Sequence, residues 1–330
     1  MKTVCVLRWG AYGDAIIATV LFPLLKADGY EIHFHCTKRT RDVTKYNPYI
    51  DKWILYETDS VPNDELGVYW DNLSQQYDKF INLSGSIEGS LLIPDYYADS
   101  ALSKKARHER CNINYYDRTL ELGGYGHITG RSGELYFSSS EEKLAKKKRH
   151  KYRDKFIIAW TLSGSSLHKA YAYTEYVFGS ILNNMPEAMI FTLGDALCEF
   201  FEVEFQSHPR FKGLAGKQSI RKSLILTKYA DLVVGAETGV LNAAACFNTP
   251  KIVLLSHSSK ENLTKYWTNT TALHALVPCY PCHILHFDSK SCILHPKLET
   301  PVCMTNLPMN MVYGAIEREY EKWKEKKNGI

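Results

Sequence analysis

The stretch that most constrains the fold covers residues 231–255. It opens at Asp231 with a short β-branched run, crosses a polar turn at Glu237, Thr238 and Gly239, and continues through Asn242, Ala243, Ala244, Ala245 and Cys246. A second apolar run then begins at Pro250 and ends at Leu255. Branched residues before the turn and alanines after it predict a strand, a turn, a helix and a second buried strand. In such a unit the turn lies outside the carboxyl end of the strand, where open α/β sheets hold their ligands. A helix starting near Thr238 would aim unpaired backbone N–H groups and its positive end at that crevice, which suits a diphosphate. The same residues also suit a chain that binds nothing there, with Thr238 capping the helix and the small residues letting it pack close to the sheet.

A chain of 330 residues with 45% hydrophobic content can bury two cores and suits two domains of about 150 residues each. No run of about 18 uncharged apolar residues appears, and the N-terminus passes from Lys2 and Thr3 straight into an apolar strand, so neither a membrane span nor a signal peptide is expected and the chain reads as cytoplasmic. Nine cysteines is an odd number, and Cys5, Cys36 and Cys246 fall in apolar patterns where a thiol acts as a small hydrophobe, so no disulfide framework is expected. A net charge of +4 permits an anionic substrate but falls short of a dedicated nucleic-acid binder.

The pattern of strand, turn and helix occurs twice. In the first half a strand at residues 4–7 meets a turn with Gly10, Gly13 and Asp14, then an apolar helix over 15–26. Two glycines in this spacing are not the three-glycine dinucleotide fingerprint. Further strands are expected at 31–36, 52–56 and 79–83, the last ending in a small polar loop at 84–90 that could line a cleft. Helices are expected near 98–109 and 116–122, in an irregular region suited to acceptor recognition. Ser138 with Glu141 and Glu142 starts a helix, and residues 143–155 are dense in Lys, Arg and His: a solvated helix and linker, or a basic patch for a phosphate backbone.

The second half restarts with a strand at 156–161, a serine-rich loop with Lys169, a helix at 174–183, a strand at 188–193, a turn at Gly194 and Asp195, and helices at 196–205 and 219–229. Glu199 either binds a ribose hydroxyl or lies on a solvated helix face. A charged helix over 309–327 is long enough to cross between domains. Late in the chain Cys279 and Cys282 make a Cys-x-x-Cys, followed by Cys292 and Cys303. These either bind a structural zinc, with His283, His286 and His295 also near, or pack as reduced thiols, since the second pair lacks finger-like spacing.

Taken in order, Arg8 with Gly13, Asp14 and Pro23, then Ser163, Gly164, Ser165 and Ser166 with Lys169, then Glu237, Thr238 and Gly239 with Ala243, Ala244 and Ala245, then Cys279, Cys282, Cys303 and Met304, the chain resembles the ADP-heptose:lipopolysaccharide heptosyltransferases of the GT-B glycosyltransferases. The resemblance implies an α/β fold of two Rossmann-like doubly wound domains facing across a cleft: an acceptor domain at 1–150, a nucleotide-sugar domain at 151–308, and a helix at 309–330 crossing back. It also implies inverting, metal-independent sugar transfer without a catalytic cofactor, from a nucleotide-sugar donor to a glycan or lipid-linked acceptor. Asp14 then matches the general base, while Ser165, Ser166, Lys169, Thr238 and Gly239 match the diphosphate contacts, with Gly13, Glu237 and Asn242 beside them. The chain departs from the family where its usual His is Asn242, its Asp is Glu237, and its Trp-Pro is replaced by Tyr171, Ala172 and Tyr173. These departures leave the donor's identity open. Two other functions fit the same residues: sugar transfer to a hydroxymethylated base of DNA, for which the basic 143–155 segment speaks, and a catalytically silent nucleotide-binding module.

A leaving diphosphate needs its growing charge held. The helix start at Thr238, the Lys169 ammonium and the Ser165 and Ser166 hydroxyls would do this in place of a divalent cation. An acceptor hydroxyl needs a base, for which Asp14 is the candidate, its alternative use being to cap the helix at Ala15.

Overall fold

A computed structural model describes residues 2–57, 60–83, 103–163, 166–284 and 292–329, with the backbone alone at 63 and 167. Its contacts divide the chain into two compact α/β units. The first comprises residues 1–136, 261–266 and 282–291, and the second comprises residues 137–260, 267–281 and 292–330.

The first unit holds strands β1 (Lys2–Leu7), β2 (Tyr30–Thr37), β3 (Lys52–Tyr56) and β4 (Lys79–Asn82), all parallel, in the order β3-β2-β1-β4. The chain winds outward from β1 to β3 and returns to β4 on the other side of β1, so the winding reverses at the carboxyl end of β1. Its helices are α1 (Tyr12–Ala18), α2 (Phe22–Ala27), α3 (Lys38–Thr44), α4 (Leu66–Ser74), α5 (Lys104–Cys111) and α6 (Tyr115–Leu122). The single helix expected over 15–26 is broken: a 3-10 turn at Thr19–Leu21 separates α1 from α2, and Thr19 turns its hydroxyl back onto the Ile16 carbonyl at 2.5 Å. Cys5 and Leu7 on one sheet face pack with Trp9 against Leu66 and Leu73 of α4. The expected loop at 84–90, and the start of the helix expected at 98–109, lie outside the described residues.

The second unit holds β5 (Phe156–Thr161), β6 (Ala188–Leu193), β7 (Phe211–Gly213), β8 (Leu232–Ala236), β9 (Lys251–Leu255) and β10 (Thr270–His274) in one parallel sheet, ordered β10-β9-β8-β5-β6-β7. This is the doubly wound order whose reversal falls between β5 and β8. Its helices are α7 (Ser139–Lys151), α8 (Thr174–Asn184), α9 (Ile220–Tyr229), α10 (Gly239–Ala245), α11 (Val302–Thr305) and α12 (Met309–Asn328). The expected helix at 196–205 is wound as 3-10 turns. On one face Phe156, Ile158 and Trp160 of β5 pack with Val177, Phe178 and Ile181 of α8, and with Val312, Ile316 and Tyr320 of α12. Trp160 meets Phe178 edge-on at 5.0 Å. β5 is buried at all six positions, as a central parallel strand covered on both faces must be.

Helix α7 runs up to the expected boundary at residue 150, and its contacts are with α9 of the second unit. Ser138 caps it by accepting from the Glu141 N–H, and the Glu141 carboxylate returns the bond to the Ser138 N–H at 2.9 Å. Ion pairs then tie it down: Glu141 to Arg221 at 2.6 Å, Glu142 to Lys228 at 2.6 Å, and Arg149 to Asp231 at 2.9 Å.

Candidate functional site

The reversal of winding in the second unit brings together the loop after β5 and the turn after β8. Register sets Thr161 opposite Gly235. Gly235 has φ +151, and a β-carbon there would sit 2.0 Å from the Thr161 hydroxyl and 2.4 Å from its carbonyl. Only glycine allows the ends of β5 and β8 to lie this close.

Thr238 follows β8 as the N-cap of α10. Its hydroxyl accepts from the Leu241 N–H at 3.1 Å and donates to the Thr161 hydroxyl at 3.3 Å. Gly239 is the first helical residue, and α10 is only seven residues long. One turn on, Asn242 is 7% exposed; its amide donates to the Thr238 carbonyl at 3.0 Å, and its carbonyl oxygen is buried with no hydrogen-bond partner among the described residues.

Lys169 ends the 3-10 turn after the β5 loop. It is buried to 7% exposure, and its ammonium donates to the main-chain carbonyl of Glu237 at 3.2 Å. A buried ammonium is costly unless something anionic or dipolar faces it, so this contact draws Lys169 onto the turn after β8. The Glu237 carboxylate is committed elsewhere. It accepts from the Ser256 N–H at 2.8 Å, the Ser256 hydroxyl at 2.6 Å and the Ser258 N–H at 3.2 Å, pinning the loop that follows β9 to the end of β8. Nearby, burial holds the Tyr280 hydroxyl well above the usual phenol range, with the Glu237 charge adding to the effect. Ser166 is half-buried and faces its own loop, its hydroxyl bonded to His168 Nδ1 at 3.0 Å and accepting from the His168 N–H at 3.2 Å. Ser165 and Gly164 lie outside the described residues. Ser163 meets the Cys198 thiol at 3.0 Å, which ties the loop after β5 to the segment after β6. Glu199 is half-buried, one oxygen 2.7 Å from where a β-carbon on Gly216 would lie.

The first unit has its own reversal at the end of β1. Asp14 sits in the first turn of α1, at the third helical position, where a carboxylate complements the helix start. It is 8% exposed, accepts from the Ala11 N–H at 2.6 Å, and pairs with Arg8 at 3.2 Å. Gly10 has φ +52, and a β-carbon on it would fall 2.2 Å from the Asp14 carboxylate. Gly13 is buried beside Asp14 in the same turn. Trp9 stacks on Tyr56 at 3.7 Å and donates its indole N–H to His35 Nδ1 at 3.0 Å; burial lowers the His35 pKa to about 4.

The structure thus brings Lys169, Glu237, Thr238, Gly239 and Asn242 together in the second unit and sets Asp14 beside Arg8 in the first. Thr161, Ser256 and Ser258 were missed by the sequence reading; the only sequence signal for the two serines is that they follow the last buried residue of a strand. All nine cysteines are free, and among the described residues no group of three or more His, Cys, Asp or Glu side chains is placed to hold a metal. No described helix is long and apolar enough to cross a membrane.

No protein-family model matches the chain, and no curated protein matches it in sequence. Solved structures do match. The glycosyl transferase family 9 protein of Veillonella parvula DSM 2008 is 13% identical with a TM-score of 0.70, over 97% of this chain and 98% of that one. The E. coli ADP-heptose LPS heptosyltransferase II is 14% identical with a TM-score of 0.67, over 98% of this chain and 100% of that one. The E. coli heptosyltransferase WaaC with ADP is 13% identical with a TM-score of 0.61, over 96% of this chain and 99% of that one. At such identities the likeness is one of fold: two parallel α/β units, in the GT-B class of the heptosyltransferases.

Proposed function

We propose that this chain is a glycosyltransferase that moves a sugar from a nucleotide-diphosphate donor to an acceptor hydroxyl. The observation that carries the proposal is the buried Lys169 ammonium at the point where the second sheet reverses its winding, 3.2 Å from the turn that starts α10. That is where doubly wound sheets take phosphate-bearing ligands. The fold likeness supports the same reading, since two of the matched proteins are named for ADP-heptose or carry ADP.

The second unit is assigned the donor. Lys169, the N–H groups following Thr238, and the hydroxyls of Ser165 and Ser166 hold the diphosphate and take up the charge that grows on it as the sugar–oxygen bond breaks. Glu237 is a positioning residue, its carbonyl holding Lys169 and its carboxylate fixing the loop after β9. Asn242 offers its unpartnered carbonyl oxygen to a donor hydroxyl. With an ammonium and backbone dipoles holding the leaving group, the transfer needs no divalent cation.

The first unit is assigned the base. Asp14 takes the proton from the acceptor hydroxyl as its oxygen attacks the anomeric carbon from the side opposite the diphosphate, inverting that centre. Arg8 and the Ala11 N–H fix the carboxylate's direction. The acceptor is a glycan or a lipid-linked saccharide.

Asp14→Asn keeps the shape and the bond from Ala11 while removing the base. With a panel of nucleotide sugars and saccharide acceptors, release of nucleoside diphosphate by the variant is expected to fall about 100-fold or more. Equal rates in wild type and variant would remove Asp14 from the chemistry, and binding of nucleotide without turnover of any donor by the wild type would leave a silent nucleotide-binding module.

A further inference from the structure

The second unit contains a cavity of about 390 Å³ far in the fold from Lys169, on the opposite face of the sheet from Trp160. Its floor is Ile157 of β5 and Phe191 of β6, which register places on the same face, and Lys212 of β7 lies opposite Phe191 at the cavity's edge. Its walls are Leu144 and Ala145 of α7 and Ile225 and Leu226 of α9.

The cavity exists because of how α7 is held. This thirteen-residue helix buries none of its side chains, and ion pairs to Arg221, Lys228 and Asp231 dock it at both ends. Leu144 is therefore 49% exposed although it faces an apolar floor. The volume falls within the range of sites for small ligands.

The mouth is cationic. Lys148, Lys151, Lys212 and Lys222 are exposed, line the opening, and have no carboxylate partner among the described residues. The one acidic lining residue, Glu141, is bound by two nitrogens of Arg221 at 2.9 and 2.6 Å, and Arg149 is paired with Asp231. Four uncompensated ammonium groups around an aliphatic interior match a ligand with one anionic end and one alkyl end. A nucleobase fits less well, because Tyr152 and Phe191 spend their rings on each other, edge to face at 5.6 Å, rather than offering a free stacking surface.

We propose that this cavity binds a single-chain anionic amphiphile, its alkyl chain between α7, α9 and the sheet and its carboxylate or phosphate among the four lysines. The assignment is independent of sugar transfer and is tested by binding alone.

The test is calorimetric titration of the full chain with decyl phosphate below its micellar concentration, beside hexyl phosphate, inorganic phosphate, decanol and decyltrimethylammonium. Decyl phosphate should bind, with about a fourfold loss of affinity for each methylene removed, while inorganic phosphate and the cationic amphiphile should not. Lys148→Glu with Lys222→Glu should weaken decyl phosphate at least tenfold. Ala145→Trp, which fills the apolar space, should abolish binding while leaving the melting temperature unchanged or raised. Equal binding of the cationic and anionic amphiphiles, binding of inorganic phosphate as tight as that of decyl phosphate, unchanged affinity in Ala145→Trp, or attachment only to vesicles of anionic lipid would each overturn the proposal.

Discussion

Replacing Glu237 separates a carboxylate that organises the turn after β8 and the loop after β9 from one that touches a ligand. The native side chain satisfies two main-chain N–H groups, of Ser256 and Ser258, and the Ser256 hydroxyl, all in a buried setting. In Glu237→Ala these donors lose their acceptor. The hydroxyl can turn elsewhere, but the two N–H groups cannot, and at about 2 kcal/mol for each buried unsatisfied donor the loss comes to about 4 kcal/mol. Glu237→Gln keeps an oxygen for both N–H groups and offers its amide to the Ser256 oxygen, giving up only the charge-assisted part, about 1 kcal/mol. For a unit of this size these values correspond to a fall in melting temperature of roughly 10 °C for Ala and about 3 °C for Gln. Differential scanning calorimetry measures both, and nucleoside diphosphate affinity should survive in Gln. An alanine variant no less stable than the glutamine variant would refute the reasoning, as would a glutamine variant that keeps its stability but loses nucleotide binding.

Gly235→Ala puts a β-carbon against Thr161 in a backbone region closed to L side chains, so a loss of about 3–5 kcal/mol is expected, with lost nucleotide binding, by calorimetry and titration. Lys251 is 1% exposed in β9 and its ammonium donates to the Thr268 carbonyl at 2.7 Å; burial lowers its pKa from 10.5 to about 8. Between those values the unfolded chain binds the proton and the folded chain does not, so stability relative to Lys251→Met should rise from pH 8 to pH 10.5 by about 3 kcal/mol. A flat or falling difference in melting temperature across that window would contradict it.

Much of the sheet was legible in the sequence. β5 and β6 match their expected bounds because continuous apolar runs bounded by polar turns are what buried parallel strands require, and β3 matches too although it is an edge strand with no buried residue. β7 escaped notice at three residues, too short for any period to register. β10 did because Thr270–His274 is half-buried throughout and carries no alternation. The helices α3 and α4 are not legible in the sequence; α3, over Lys38–Thr44, is almost wholly polar, and the cap at its start, Thr37, is reciprocated by Thr40 rather than by a Glu or Gln and has no apolar stripe behind it. Asp14 reads from sequence as a cap of α1 or a base; in the structure it sits inside the first turn and reaches back to the Ala11 N–H, a placement that depends on Arg8 and Gly10 folding over it. The Glu237 partners lie 19 and 21 residues away. Only the pairing of β8 with β9 brings them together, and periodicity says nothing about which strands pair.

In the proposed function, Lys169 is the cation that receives a diphosphate. Titration calorimetry of the wild type and Lys169→Met with ADP, UDP and GDP, each beside its monophosphate, tests it most directly. The expected result is one preferred nucleoside diphosphate, bound more tightly than its monophosphate, with Lys169→Met weakening the diphosphate by about 10- to 100-fold, as loss of a charged hydrogen bond of about 1.5–3 kcal/mol requires, and the monophosphate much less. Equal affinity of wild type and variant for the preferred diphosphate, or no binding of any of the three by the wild type, would contradict it.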